Sequence, residues 1–120
     1  MRYMILIAGD EKFSKSIGPE EHRQIMTAYM KYTDDLKKAG VLLAGDPLHE
    51  SAKGARVTVA GGKRKVIDGP FTEAKEVLGG YYLIQVKSKE EAIEWASRCP
   101  GAHYPDRAYV EVREVMEIPA

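Results

Sequence analysis

Hydrophobic and polar residues follow two patterns along this chain. Short apolar runs rich in β-branched and aromatic residues are bounded by Gly, Pro or Asp, which is typical of strands. Two longer segments lie between helix start and stop signals. The predicted elements are, in chain order, a strand at 2–9, a helix from Pro19 to the stop at Gly40, a strand at 41–48, a hairpin at 55–68, a strand at 79–86, a helix from the Ser88 cap to the stop at Pro100, and a strand at 108–116.

The first predicted helix carries signals at both ends. Pro19 suits the first helical position, Glu20 and Glu21 complement the positive end of the helix dipole, and Gly40 permits a left-handed stop. Apolar side chains spaced three and four apart predict one face that packs against another element. These residues are Ile25, Met26, Tyr29, Met30, Thr33 and Leu36.

The order of elements predicts a ferredoxin-like α+β fold with an added β-hairpin, built as one domain over residues 1–120. Two helices can cover only one face of the antiparallel sheet. The first strand nevertheless carries apolar side chains on both faces, with Ile5 on one and Leu6 on the other. An uncovered apolar face is costly in water, so the sequence predicts a face-to-face homodimer with a partly filled space between the two sheets.

Composition narrows the classes of partner. Of 120 residues, 44% are hydrophobic, and 18 Lys plus Arg balance 18 Asp plus Glu, so no net field attracts nucleic acid or a membrane surface. The basic cluster at 63–65 is interpreted as a solvated hairpin tip rather than a phosphate site. No apolar run approaches the length of a membrane helix, and the single Cys99 favours a reducing compartment, so we expect a cytoplasmic protein.

Several isolated residues are candidates for chemistry, each with a structural alternative. His22 is either a proton-transfer residue facing a cleft or a first-turn histidine half in solvent. Cys99 is either a thiolate activated by Arg98 or His103, or a buried, inert residue that packs beside Trp95. No metal-ligand spacing and no phosphate-binding glycine loop is present, so no cofactor is expected.

The stretch DGPFTEAKE, residues 68–76, combines a turn with a group of charges. Asp68, Gly69 and Pro70 together specify a turn, and Phe71 is predicted to anchor that turn to the core, ahead of a single helical turn over 73–76. Turning the chain does not require the three ionisable groups that follow, directly before Gly79 and Gly80. The candidate ligand-binding or interface residues are therefore Asp68, Phe71, Glu73, Lys75, Glu76 and Tyr81.

This stretch, with RYMILI, GPEE, KAGVLLAGDPL, EAIEWASRCPGAH and VEVREVME, resembles the DGPF proteins, a branch of the YCII-related family. The resemblance implies a dimeric α+β barrel in a bacterial, cytoplasmic protein, and some members resemble accessory proteins of alternative sigma factors. The family's proposed catalytic His–Asp dyad would fall at Ala28 and Cys99, so the resemblance does not extend to that activity. Two functions remain open: a cofactor-independent enzyme or small-molecule binder using the space between the sheets, or a non-catalytic interaction module.

Overall fold

A computed structural model describes residues 1–71 and 76–119, which form six strands, three α-helices and two short 3₁₀ turns. None of the described helices is long and apolar enough to cross a membrane. The elements are β1 (Arg2–Gly9), α1 (Glu11–Ser16), α2 (Pro19–Lys38), β2 (Leu42–Pro47), a 3₁₀ turn (Ser51–Lys53), β3 (Ala55–Ala60), β4 (Lys63–Asp68), β5 (Val77–Gln85), α3 (Lys89–Ser97), a 3₁₀ turn (Pro100–His103) and β6 (Ala108–Glu114).

The main sheet has the strand order β2-β5-β1-β6, and every neighbouring pair is antiparallel. The two long helices pack on one face of this sheet, where Leu36 of α2 and Ala92 of α3 join Ile5 of β1 and Ile84 of β5 in one buried cluster. This arrangement confirms the ferredoxin-like α+β fold that the order of elements predicted. The β3–β4 hairpin forms a separate two-stranded sheet.

The predicted apolar stripe of α2 is only partly buried. Leu36 is completely buried and Tyr29 packs against the core, but Met26 and Met30 are 65% and 68% exposed. Tyr32, which the stripe left out, is buried instead. The face of α2 that packs on the sheet is therefore rotated toward Tyr32, and Met26 and Met30 lie outside the core.

A short helix, α1, replaces the polar loop expected after β1. Asp10 caps it, since its side chain accepts a hydrogen bond of 2.9 Å from the Lys12 backbone N–H. Six residues are too few for a helical period to emerge from the sequence, so the capping residue was the only local signal.

The sheet face opposite the helices carries apolar side chains, as the alternation in β1 and β5 predicted. Met4 lies opposite Leu83 in the register of these two strands, and Leu6 lies opposite Tyr81. All four side chains are half-buried. The face-to-face homodimer that would cover them stays a prediction.

Tyr32 offers a test of the packing between the two long helices. Its hydroxyl donates a 2.7 Å hydrogen bond to the Trp95 carbonyl, and its ring meets the Tyr82 ring edge-on at 5.3 Å. Replacing Tyr32 by Phe is expected to lower the free energy of unfolding by about 1 kcal/mol, because the hydrogen bond between the two long helices is lost. Urea denaturation followed by circular dichroism measures the change. The control Tyr109→Phe removes an exposed hydroxyl and should change stability by less than about 0.5 kcal/mol.

Candidate functional site

A cleft of about 980 Å³ opens between α2 and the sheet, at the end where β1 finishes and β5 begins. One side of α2, from His22 to Lys37, forms one wall. The last residues of β2, the first residues of β5 and the end of β1 form the other. Its principal apolar side chains are Ile7, Phe13, Ile25, Met26, Met30 and Leu78.

At the floor of the cleft, two glycines allow tyrosine side chains to approach the backbone closely. A Cβ atom at Gly45 would lie 2.6 Å from the Tyr82 ring, and one at Gly101 would lie 2.9 Å from the Tyr29 hydroxyl. Both distances are too short for a real side chain, so glycine makes room for the Tyr82 ring beside β2 and for the Tyr29 hydroxyl beside the second 3₁₀ turn. The cleft is shaped by these close approaches.

A phenol–carboxylate pair lies beside the cleft, on the sheet face opposite the helices. The Tyr81 hydroxyl donates a 3.0 Å hydrogen bond to Asp46 Oδ2, and this bond raises the pKa of Tyr81. Deeper in the cleft, Thr33 donates to the Tyr29 carbonyl at 2.9 Å, which leaves its oxygen to accept from the Tyr82 hydroxyl at 2.7 Å. Burial raises the pKa of Tyr82. Both phenols therefore remain protonated at neutral pH.

A carboxylate from α1 completes this end of the cleft. Glu11 Oε2 accepts a 2.7 Å hydrogen bond from the Ser51 backbone N–H, and Glu11 Oε1 accepts another from the Ser51 hydroxyl. These hydrogen bonds hold the pKa of Glu11 below its ordinary value. The Ser51 hydroxyl oxygen also accepts a 2.8 Å bond from the Phe71 N–H, which joins the DGPF turn to this wall.

The predicted signature residues separate into different surroundings. Tyr81 lines the cleft, whereas Asp68 ends β4 opposite Ala55 on the exposed hairpin. Glu76 is exposed, and burial together with the nearby Glu76 carboxylate raises the pKa of Tyr109. Glu73 and Lys75 lie outside the described residues, as does most of the helical turn expected over 73–76.

Phe71 does not anchor the turn to the hydrophobic core. Its ring is half-buried beneath the Arg56 guanidinium, whose carbon lies 3.9 Å from the ring centroid, and it is absent from the core cluster. Its backbone hydrogen bond to Ser51 holds the turn instead. The expected apolar anchor was wrong because Phe71 has an arginine and a buried serine as its neighbours.

The three secondary candidates do not meet in one place. His22 is exposed in the first turn of α2 and lines the cleft. Cys99 is completely buried, and burial raises the pKa of its thiol, which favours the inert interpretation. His103 lies with Ala28 in a separate pocket of about 400 Å³, where its Nε2 is 2.8 Å from the Ser97 carbonyl.

Sequence reasoning missed Glu11, Asp46 and Ser51. Forty residues separate Glu11 from Ser51, and 35 separate Asp46 from Tyr81, so no local motif links either pair. The only signal was chemical: an acidic residue close after β1 and another at the end of β2. Across residues 1–71 and 76–119, no group of three or more His, Cys, Asp or Glu residues is arranged to hold a metal ion.

Comparisons with known proteins place these features in context. Residues 1–119 match the family model described as the YCII-related domain. An uncharacterised protein of Rhizobium meliloti (strain 1021) is 32% identical over 113 residues, covering 94% of this chain and 90% of that protein. A solved structure of 5-chloro-2-hydroxyhydroquinone dehydrochlorinase from Burkholderia phenoliruptrix AC1100, in complex with 2,5-dihydroxybenzoquinone, is similar with a TM-score of 0.52. That match covers 97% of this chain and 94% of the other at 15% identity, and it shows a shared fold.

Proposed function

Since the chain belongs to the YCII-related family, we propose that it binds a small molecule with a flat, largely apolar body and a few hydrogen-bonding groups in the cleft beside α2. The cleft itself carries this proposal. Ligand sites are typically concave and mostly apolar, with a few polar groups that fix orientation, and their volumes run from about 300 to 1,000 Å³. Here Met26 and Met30 supply an apolar wall, and Glu11 and Thr33 supply polar groups.

An exposed methionine side chain on a helix has an unfavourable interaction with water unless it contacts a ligand or another protein surface. Met26 and Met30 each leave about two thirds of their surface open, on the side of α2 that faces the cleft. Methionine side chains are flexible and polarizable and contact aromatic rings favourably, which suits a planar ligand. The fold neighbour's complex with 2,5-dihydroxybenzoquinone, a ring with oxygen substituents, supports the same class of ligand.

We further propose that the protein acts on its ligand without a cofactor. His22 stands at the cleft, where its imidazole can accept or donate a proton. The Tyr82 hydroxyl donates to Thr33, so its oxygen can accept a hydrogen bond from a hydroxyl substituent of the ligand. These groups fit proton transfer on a hydroxylated ring, while the candidate residues Asp68 and Glu76 fit a role outside the cleft.

A homodimer is the form in which we propose that this binder works. Met4, Leu6 and Leu83 leave an apolar patch on the sheet face opposite the helices, and a second copy is the occupant that matches it. Glu111 and Arg113 on β6 flank this face with opposite charges, which a two-fold axis can pair between copies. Light scattering of the wild-type protein at a mass of two chains supports this, and a monomer mass contradicts it.

Met30→Arg tests the cleft. Because Met30 is exposed, the variant should fold without loss of core packing. The arginine nevertheless places a long charged side chain against the apolar wall of the cleft. We expect binding of hydroquinone to weaken by at least about tenfold, a cost of about 1.4 kcal/mol. Titration followed by ¹H–¹⁵N NMR measures the affinity and shows which residues respond.

The matched control is Met116→Arg, the same change at an exposed methionine near the C-terminus that does not line the cleft. It should leave the affinity unchanged. If hydroquinone and similar hydroxylated rings fail to bind the wild-type protein, or if both variants bind equally well, the cleft is not the ligand site.

That negative result would favour a second function, a non-catalytic interaction module of the kind that serves alternative sigma factors. The β3–β4 hairpin supports it, because all its residues are exposed and Val57 pairs directly with Val66 on one of its faces. A two-stranded hairpin is marginally stable alone in water, so a partner surface would stabilise it.

A further inference from the structure

The DGPF turn reaches the cleft through two hydrogen-bonded steps, although Asp68 and Phe71 do not line it. The Phe71 N–H donates to the Ser51 hydroxyl oxygen at 2.8 Å. That hydroxyl in turn donates to Glu11 in the cleft wall. The turn, the 3₁₀ segment and α1 are thereby joined through one buried serine.

Ser51 is also held from the other side by backbone hydrogen bonds. Its carbonyl accepts from the Gly54 N–H at 2.9 Å, and the Gly54 carbonyl accepts from the Gly69 N–H at 2.9 Å. Gly69 approaches so closely that a Cβ atom there would lie 1.7 Å from the Ser51 carbonyl oxygen. The hydroxyl and the carbonyl of Ser51 therefore both lie directly against the turn.

We infer that the DGPF turn is a positioning element for the cleft: it fixes Ser51, and Ser51 holds Glu11 as an anionic acceptor for a hydroxyl or ammonium group of the ligand. This inference rests on the proposed binding function and adds a residue that selects among ligands. An ionised carboxylate accepts hydrogen bonds and donates none. Each Glu11 oxygen accepts one hydrogen bond from Ser51 and retains a second lone pair for the ligand.

The electrostatics agree with this role. The hydrogen bonds from Ser51 are the main cause that lowers the pKa of Glu11 from its ordinary value of 4.5. Lys15 lowers it further and Asp10 raises it. Glu11 is therefore ionised at neutral pH and cannot switch to a donor in that range.

The first experiment follows the Glu11 carboxyl by ¹³C NMR as pH is varied. In the wild-type protein the pKa should fall below 4.5. Ser51→Ala should raise it toward that value, Ser51→Thr should keep it low, and Ser16→Ala, the same change at an exposed serine of α1 that does not line the cleft, should not move it. A wild-type pKa at or above 4.5, or an unmoved value in Ser51→Ala, would overturn the positioning role.

The same linkage fixes the pH dependence of stability. A carboxylate whose folded pKa is depressed stabilises the fold above its unfolded pKa and loses that contribution as pH falls through the folded value. The difference in melting temperature between wild type and Ser51→Ala should therefore shrink below pH 4.5. If the difference in melting temperature stays constant from pH 7 to pH 3, the Ser51 hydrogen bonds do not depress the pKa of Glu11.

The second experiment asks what Glu11 recognises, with hydroquinone and 1,4-dimethoxybenzene as probes that differ in their hydrogen-bond donors. Glu11→Gln should weaken the binding of hydroquinone by at least about tenfold, since hydrogen bonds to charged groups contribute about 1.5–3 kcal/mol. Binding of the dimethyl ether should be unchanged. Equal effects on both probes would overturn the recognition role while leaving the cleft as the binding site, whereas failure of both probes to bind the wild type would contradict the binding function as well.

Discussion

Leu36→Ala is expected to lower the free energy of unfolding by about 2–5 kcal/mol. Leu36 is completely buried near the C-terminal end of α2, in the same cluster as Tyr3, Ile5 and Ile84. Truncation removes the apolar area of three carbon atoms from the core and leaves a cavity that the surrounding sheet cannot fill, because β1 and β5 are the central strands. For a chain of 120 residues this loss is a large part of the total stability.

Urea denaturation followed by circular dichroism measures this change, and Leu43→Ala is the matched control. Leu43 lies on the edge strand β2 and is 48% exposed, so the same substitution there should cost less than about 1 kcal/mol. The slope of free energy against urea should be unchanged in both variants. Similar losses at the two positions would mean that α2 does not pack on the sheet as described.

The strands and the long helices were predictable because their signals are local. β1 ends at Gly9 as expected, Pro19 begins α2, and the Gly61–Gly62 pair, with φ angles of 57° and 76°, makes the hairpin turn. Each of these depends on residues within one element. Ser88 likewise caps α3 by accepting a hydrogen bond from the Glu91 N–H.

The orientation of α2 was less predictable than its ends. Periodicity identified an apolar face that included Met26, Tyr29 and Met30, but of these three only Tyr29 packs against the core, and Tyr32, outside the predicted face, is buried. Tyrosine counts weakly in a hydrophobic pattern, although its ring buries a large area once the hydroxyl has a partner. The Trp95 carbonyl is such a partner for Tyr32, and it belongs to α3, which the pattern of α2 alone does not show.

The sequence singled out the charges at 73–76, of which 73–75 lie outside the described residues. Among the described residues, the cleft is lined by side chains that converge from α1, α2 and the sheet. The DGPF turn is connected to it through Phe71, which donates to Ser51, and Ser51 donates to Glu11. Such contacts join segments far apart in sequence, so residue spacing carries no trace of them.

Gly69→Ala is expected to displace the DGPF turn and to lower the free energy of unfolding by about 3 kcal/mol, near the upper end for overpacked sites. The added methyl group would lie 1.7 Å from the Ser51 carbonyl oxygen and 2.6 Å from its carbonyl carbon. Backbone atoms cannot rotate away as a side chain can, so the turn and the 3₁₀ segment must separate. The Gly69 N–H would then lose the Gly54 carbonyl, and the Phe71 N–H would lose Ser51.

Gly54→Ala is the control, because a Cβ atom there would meet the same Ser51 oxygen at an ordinary 3.5 Å. Thermal unfolding and amide hydrogen exchange at Phe71 measure the outcome: Gly69→Ala should melt earlier and exchange faster, and Gly54→Ala should resemble wild type. The carboxyl of Glu11 provides the functional readout, since displacement of Ser51 should raise the Glu11 pKa in Gly69→Ala without any change to Glu11 itself. A variant that melts earlier but keeps the depressed Glu11 pKa would show that the turn supports the fold without positioning the cleft.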